Sequence, residues 1–306
     1  MKIPLKTRLR AWWEGYEADD LTRLNQPAQA SSSTEASKSL VEPLAPWETP
    51  EIRMVQLIWG TGYHKPGGPD YILGLVKPFG LDPSKSMMEF GSGLGGAART
   101  IANEYGVWIT GYEQDVQFAR AGKQMSVMAG LEKKADILRY FPDDFELHAN
   151  MFDCILSSET LFRIADKYNL LEKLQRGLKV RGQLTITDFV LGDGISPTDP
   201  RLQNLGPETL HFWEIGQYEQ RFRELNLDLR VTEDITETYR KMILNGWANF
   251  AQGDPAAFAT ARAYPTVIVS ELNTWTSRMQ ALESGLLKVV RFYAIRKSTT
   301  KLMSDW

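Results

Sequence analysis

The feature that most restricts how this chain can fold is the run Glu89-Phe90-Gly91-Ser92-Gly93-Leu94-Gly95-Gly96. It continues an apolar run at 86–91 and opens a helical pattern at 97–105. Glycines at this density suit a backbone that turns sharply and lets a ligand come close. The amides at the start of the following helix then face that ligand. Such a site lies outside the carboxyl ends of the strands, where strand order reverses.

The surrounding pattern agrees. Short apolar runs at 107–113, 152–158 and 183–191 read as buried strands, with helical stretches at 115–129 and 166–178 between them. Alternation of this kind implies an α/β fold with a parallel sheet wrapped by helices and right-handed crossovers. After 191 the pattern changes. Residues 192–210 are rich in Gly, Pro and Asp and read as a loop, 214–225 as a helix, 227–235 as a strand and 288–297 as the last strand. The mostly helical stretch between these strands places a lid over the carboxyl edge, with lid insertions spanning 191–287. Ahead of this domain (47–306), Leu5, Leu9, Trp12, Trp13, Tyr16 and Leu21 recur at helical spacing, and 27–46 is rich in Pro, Ala and Ser. We expect an amphipathic N-terminal helix over 1–26 and a flexible linker over 27–46. That helix suits either a membrane surface or packing on protein; Glu14, Glu17, Asp19 and Asp20 in its second half favour protein.

Composition enters as exclusion. A formal net charge of −3 over 306 residues argues against a nucleic-acid partner. A single cysteine, Cys154, rules out an intrachain disulfide, and His64, His148 and His211 have no metal-ligand spacing, so no metal is expected. No apolar run is long enough to span a membrane, and the N-terminus lacks the pattern of a secretory signal. The expected location is the cytoplasm, with peripheral membrane or protein contact through 1–26.

The glycine run alone leaves its ligand open. Gly91, Gly93 and Gly96 satisfy GxGxxG, and Glu113 follows at the distance of an acid that binds ribose hydroxyls. NAD and S-adenosylmethionine both carry that ribose. Other residues separate them. Glu89 precedes the first glycine by two residues and suits a cationic amino-acid end. Asp144-Phe145 follows a third strand candidate, ADILRYF, and suits an adenine. Phe152-Asp153 opens the fourth strand, and Leu178-Lys179-Val180-Arg181-Gly182-Gln183-Leu184 leads into the fifth.

This ordered set resembles the class I S-adenosylmethionine-dependent methyltransferases. The resemblance covers 50–191 well and the tail loosely. It implies a Rossmann-like sheet of seven strands with the last antiparallel, and S-adenosyl-L-methionine as cofactor. By it, Glu89, Gly91, Gly93 and Gly95 cradle the methionine part, Glu113 binds ribose, and Asp144 and Phe145 meet the adenine. The stretch Trp59-Gly60-Thr61-Gly62-Tyr63-His64-Lys65-Pro66-Gly67-Gly68 narrows the branch. It resembles the segment before the glycine loop in phosphoethanolamine N-methyltransferases and related lipid-modifying enzymes, where the tyrosine closes over the cofactor carboxylate. That role carries to Tyr63, with the Gly-Gly pair of the same segment, Gly67 and Gly68, closing beside it.

The rest of that branch's active site departs. Its catalytic histidine and tyrosine align with Arg163 and Val55, and its phosphate-gripping pair aligns near Glu208 and Leu210. An arginine stays protonated and cannot serve as a general base. A carboxylate at 208 would repel a phosphate, which speaks against phosphoethanolamine. Candidate bases are Glu159 and Asp188 at the ends of strands four and five, His64 beside the cofactor, and His211 in the lid. The tail aromatics, among them Trp247, Phe250 and Trp275, suit either an alkylammonium cage or core packing. The expected activity is methyl transfer to a small amine, a lipid headgroup or an acyl chain. The alternatives are a catalytically inactive cofactor-binding module that acts through a protein partner and, more remotely, an NAD-dependent oxidoreductase.

Overall fold

A computed structural model describes residues 45–253 and 255–298. The helix expected over 1–26, and all but the last two residues of the linker at 27–46, lie outside the described residues. Five parallel strands form the first part of the sheet: β1 (Ser86–Phe90), β2 (Trp108–Glu113), β3 (Ala135–Arg139), β4 (Phe152–Ser158) and β5 (Leu178–Leu191). β6 (Leu227–Asp234) and β7 (Leu287–Arg296) complete it. The order is β3-β2-β1-β4-β5-β7-β6, and β7 runs antiparallel to both its neighbours. Strand order therefore reverses between β1 and β4, beside the glycine run.

The strands form where the sequence is continuously apolar because both sheet faces are covered. Met87, Met88, Cys154, Ile155, Leu184 and Ile186 are all buried. Helices α1 (Pro50–Trp59), α2 (Gly68–Val76), α3 (Gly96–Tyr105), α4 (Val116–Met128), α5 (Lys167–Gly177) and α6 (Ile215–Glu224) surround the sheet. Several start on side-chain caps that satisfy free amides. Asp115 accepts from Gln117 N and Phe118 N at 2.8 and 2.9 Å, and Asp166 accepts from Asn169 N at 3.0 Å. Glu214 and Gln217 form a capping box at α6.

One expected turn is part of a strand. The stretch 178–184 is already β5: Phe152 pairs with Leu178, and Cys154 next pairs with Gln183. The intervening residues bulge out, with Arg181 at φ 64° and Gly182 behind it.

Between β6 and β7 lie α7 (Thr236–Ala251), α8 (Pro255–Ala263) and α9 (Pro265–Glu283). Together with the loop from 192, these make up the segment expected as a lid; α6 and β6, which fall within the same span, belong to the sheet layers. The tail aromatics pack as core. Trp59 at the end of α1 sits edge-on against Trp247 and Trp275, with centroids at 6.1 and 4.8 Å, and Trp247 packs on Phe250. Gly246 makes the close approach of α7 possible, because a Cβ there would stand 2.6 Å from Trp59 Cε3. Gly246→Ala is therefore expected to cost about 1–3 kcal/mol of stability through overpacking. Chemical denaturation measures this, and an unchanged midpoint would show that α7 does not bear on Trp59.

Candidate active site

The glycine loop is shaped by backbone that only glycine takes readily. Gly91 and Gly93 have φ of 77° and 53°. A Cβ on Gly91 would come within 2.8 Å of Thr160 Cβ, and one on Gly93 would strike the His64 ring. Gly91 N and Ser92 N donate to Tyr112 O at 2.8 and 3.1 Å. Glu113, at the end of β2, accepts from Gly93 N with Oε2 at 2.7 Å and from Asp115 N with Oε1 at 2.9 Å. Gly95 precedes α3 in the left-handed region.

The segment before α2 is stitched to this loop. Gly96 N donates to Gly62 O at 3.0 Å, and Gly62 N donates to Gln56 Oε1 at 2.8 Å. The Tyr63 hydroxyl shares a hydrogen bond with Thr100 Oγ1 at 2.7 Å, and burial pushes its phenol up to about 12. Tyr63, His64, Lys65, Glu89, Ser92 and Glu159 line one narrow cavity.

Glu89 is 2% exposed, and its Oε2 has no hydrogen-bond partner among the described residues. Burial raises its carboxyl to about 8, partly offset by the Lys65 charge and the Ala98 amide. A buried, unpaired carboxylate oxygen is costly unless a donor arrives. The α-ammonium of a methionine moiety is such a donor. Beside it, a cleft of about 530 Å³ is lined by Phe90, Gln114, Tyr140, Asp143, Phe145 and Ile164, among others. Its volume and its aromatic walls with a few polar groups suit an adenosyl group. The residues present therefore fit S-adenosylmethionine.

Within that cleft one expected residue changes place with its neighbour. Phe145 is buried, with ring centroids 5.4 Å from Phe90 and 5.0 Å from Tyr140. Asp144 is exposed in a short 3-10 turn, and it is Asp143 that lines the cleft. The sequence could not separate two adjacent aspartates in a turn.

The candidate bases differ in surroundings. Glu159 follows β4 at φ 38°, a strained setting for a non-glycine residue and one that recurs at functional sites. Its Oε1 accepts from Tyr71 Oη and Thr187 Oγ1, both at 2.7 Å. Its Oε2 lies 3.8 Å from Lys65 Nζ, which also donates to Ser158 O. Burial raises the Glu159 carboxyl, and burial lowers the Lys65 ammonium. Asp188 does not face the cavity. It is fully buried, and its oxygens are taken by Phe162 N at 3.1 Å and Tyr218 Oη at 2.6 Å. It fixes the turn after β4 and anchors α6, so the direct substrate contact considered for it is replaced by a supporting one. His64 lies over Gly93 with its ring centroid 5.2 Å from Phe118. Burial, then Lys65 and Arg163, hold its imidazole well below the usual range, so it is neutral. His211 engages through its backbone, with N donating to Phe162 O at 2.6 Å.

Lys65, Tyr71, Thr187 and Tyr239 carry no role in the sequence reading, yet they surround Glu159. Tyr71 and Tyr239 meet edge-on at 6.3 Å. They come from α2 and α7, far apart in the chain, so no local spacing reveals them. Lys65 alone had a signal, a basic residue inside the stretch that resembles a cofactor-closing segment. Among the described residues no group of three His, Cys, Asp or Glu side chains could hold a metal ion.

Residues 88–186 match the family model described as "Methyltransferase domain". Phosphoethanolamine N-methyltransferase 2 of Caenorhabditis elegans is 24% identical over 243 residues, covering 76% of this chain and 52% of that protein. Glycine/sarcosine/dimethylglycine N-methyltransferase of Actinopolyspora halophila is 25% identical over 162 residues, covering 51% of this chain and 28% of that protein. The chain thus spans about half or less of the length of these curated relatives. Among solved structures, Haemonchus contortus phosphoethanolamine N-methyltransferase 2 in complex with S-adenosyl-L-methionine superposes with a TM-score of 0.71 at 20% identity. That match covers 82% of this chain and 58% of the other. With the sheet order, the residues that fit the cofactor and the match over 88–186, the chain carries a methyltransferase domain with the fold of class I S-adenosylmethionine-dependent methyltransferases, and it is similar to the phosphoethanolamine N-methyltransferases.

Proposed function

We propose that the chain methylates a small amine, with S-adenosylmethionine as donor. The observation that carries this reading is the contact between Lys65 and Glu159. An ammonium of the chain's own already lies against a buried carboxylate, between the glycine loop and two tyrosines. An acceptor amine satisfies the same contacts, whether free or on a lipid headgroup; an acyl chain does not. The curated relatives, named for amine methylation, support the reading.

When bound, S-adenosylmethionine supplies a methyl group already activated by its sulfonium. Glu89 Oε2 and the glycine-loop amides would hold the methionine end, Glu113 the ribose hydroxyls, and Asp143 and Phe145 the adenine. The protein's remaining work is positioning and exclusion of water. Glu159 orients the acceptor through its N–H groups, while Tyr71 and Tyr239 wall the cation. An amine must shed a proton before its lone pair can react. Burial raises the Glu159 carboxyl above the ordinary carboxylate range, and a carboxylate so raised suits proton acceptance.

Two measurements test this. Calorimetric titration with S-adenosylhomocysteine and with adenosine separates the two ends of the cofactor. Glu89→Gln is expected to weaken S-adenosylhomocysteine about tenfold and to leave adenosine unchanged, whereas Glu113→Ala weakens both. Because Glu89 holds its proton up to about 8 in the free chain, an arriving ammonium displaces that proton. Affinity should therefore rise from pH 6 to pH 8, with proton release visible in buffers of different ionisation heat. Equal loss of both ligands in Glu89→Gln would refute its assigned place. Methyl transfer is then assayed from labelled S-adenosylmethionine to ethanolamine, phosphoethanolamine, glycine and sarcosine. Glu159→Gln should lower the rate at least about 100-fold. In the unaltered chain the rate should fall with pH, starting above the ordinary carboxylate range, because only the ionised carboxyl accepts a proton. Cofactor binding with no amine labelled would end the amine reading.

A further inference from the structure

Lysine ammonium groups are among the groups most strongly drawn to water, yet the Lys65 side chain is only 14% exposed. Its Nζ lies 3.8 Å from Glu159 Oε2 and donates to Ser158 O. Both partners belong to the carboxyl end of β4, and with Glu89 they line the same narrow cavity. The segment that carries the lysine is fastened on both sides. Gly62 O accepts from Gly96 N at 3.0 Å, where α3 begins. Gly67, at φ 129°, packs so closely on Tyr71 that a Cβ there would strike the ring. The lysine is thereby held with its amine inside the cavity.

The surrounding charges place that amine relative to the cofactor residues. Lys65 is within electrostatic reach of Glu159, Glu89 and Glu113. Glu89 is the acid fitted to the methionine ammonium, and Glu113 the acid fitted to the ribose. The sulfonium of S-adenosylmethionine joins those two ends, so an amine in reach of both anchors lies beside the atom that links them. A lysine reacts only as its free amine. Burial lowers the Lys65 ammonium and raises the Glu159 carboxyl, which suits proton transfer between them. His64, the neighbouring nucleophile, lacks such a base: the charged groups acting on its ring are Lys65 and Arg163, both cations.

We propose that Lys65 is a modification site, and that the chain methylates its own Lys65 Nζ. This rests on the amine reading of the site and makes the lysine its first acceptor. The Lys65 ammonium gives one proton to Glu159 Oε2. The freed lone pair then forms an N–C bond to the methyl carbon as the C–S bond breaks. The bonding pair stays on sulfur, S-adenosylhomocysteine leaves, and the positive charge remains on Nζ. Holding the amine on a fastened segment removes the cost of bringing two molecules together. Each methyl replaces an N–H, so successive transfers take away the donors now used toward Ser158 O and Glu159.

The test uses the full chain. Its intact mass is measured as purified and again after incubation with methyl-labelled S-adenosylmethionine, and tandem mass spectrometry locates any added methyl group. Methyl is expected on Lys65 in one or both samples. The labelling rate should not depend on chain concentration, because acceptor and site share one molecule. Lys65→Arg should abolish the label, since a guanidinium does not shed its proton, and Glu159→Gln should slow it at least about tenfold. A binding measurement needs no transfer: with S-adenosylhomocysteine bound, Lys65→Ala frees Glu159 and should tighten ethanolamine at least about fivefold. Lys65 unmodified in both samples, label on His64 or elsewhere instead, a rate that rises with chain concentration, or unchanged ethanolamine affinity in Lys65→Ala each overturns the proposal. If Lys65→Arg does not fold, the location of the label in the unaltered chain decides alone. Ethanolamine, phosphoethanolamine, glycine or sarcosine labelled while Lys65 stays bare defeats this proposal and leaves the amine reading standing. Label on Lys65 with none on those amines upholds it and removes them as acceptors. S-adenosylhomocysteine binding with no label on either defeats both.

Discussion

Three neighbouring strands carry a buried carboxyl group at or near their carboxyl ends: Glu89 in β1, Glu159 just after β4, and Asp188 among the last residues of β5 that pair with β7. Burying like charges side by side in an apolar sheet is costly unless donors and cations reach them. Much of the local structure answers that cost. Lys65 reaches Glu159 from the segment before α2. Tyr71 and Thr187 bond its other oxygen. Tyr218 and the Phe162 amide fill Asp188, with Lys167 nearby. Glu89 Oε2 has no hydrogen-bond partner among the described residues, and Glu159 Oε2 has only the 3.8 Å contact with Lys65. The differing saturation of three similar acids suits the binding, reacting and supporting roles proposed for them.

The lid follows from the same economy of contacts. Its helices do not hang over the site on their own. Trp59 clamps α7 and α9 against α1, and α1 leads directly into the segment that carries Tyr63, His64 and Lys65. Tyr239 on α7 then meets Tyr71 on α2 and Phe189 on β5. The segment that carries Tyr63, His64 and Lys65 and the Tyr71–Tyr239 pair thus share one aromatic support.

The parallel strands and the glycine loop were legible in the sequence because local pattern determines them. Continuous apolar runs mark strands covered on both faces, and Gly91 and Gly93 mark backbone that other residues resist. The placement of Glu89, Glu113 and Glu159 was legible for a related reason: each sits at a strand end, which the pattern locates. What failed to show was whatever depends on long-range packing. Asp143 and Asp144 differ only in how a short turn is rotated. Asp188 looked like a substrate contact because its strand position was clear while Tyr218, thirty residues on, was not. The pairing of Arg163 and Arg278 with Glu208 joins segments far apart in the chain, so no local spacing reveals it.

The helical excursion from α7 to α9 leaves and re-enters the sheet at one point. Ile235 N donates to Val289 O at 2.9 Å, and Val289 N donates to Thr236 Oγ1 at 3.0 Å. Its two ends are thus fastened together beside the β6–β7 ladder, whatever lies between them. Lengthening or trimming such a segment adds only the slowly growing entropy of a larger closed loop, and it leaves strand register untouched. Changes in length between the contacts of Tyr239, Trp247 and Trp275 can therefore be taken up in this excursion without moving the glycine loop. The architecture separates a constant half from an exchangeable one along the line of a single pair of hydrogen bonds.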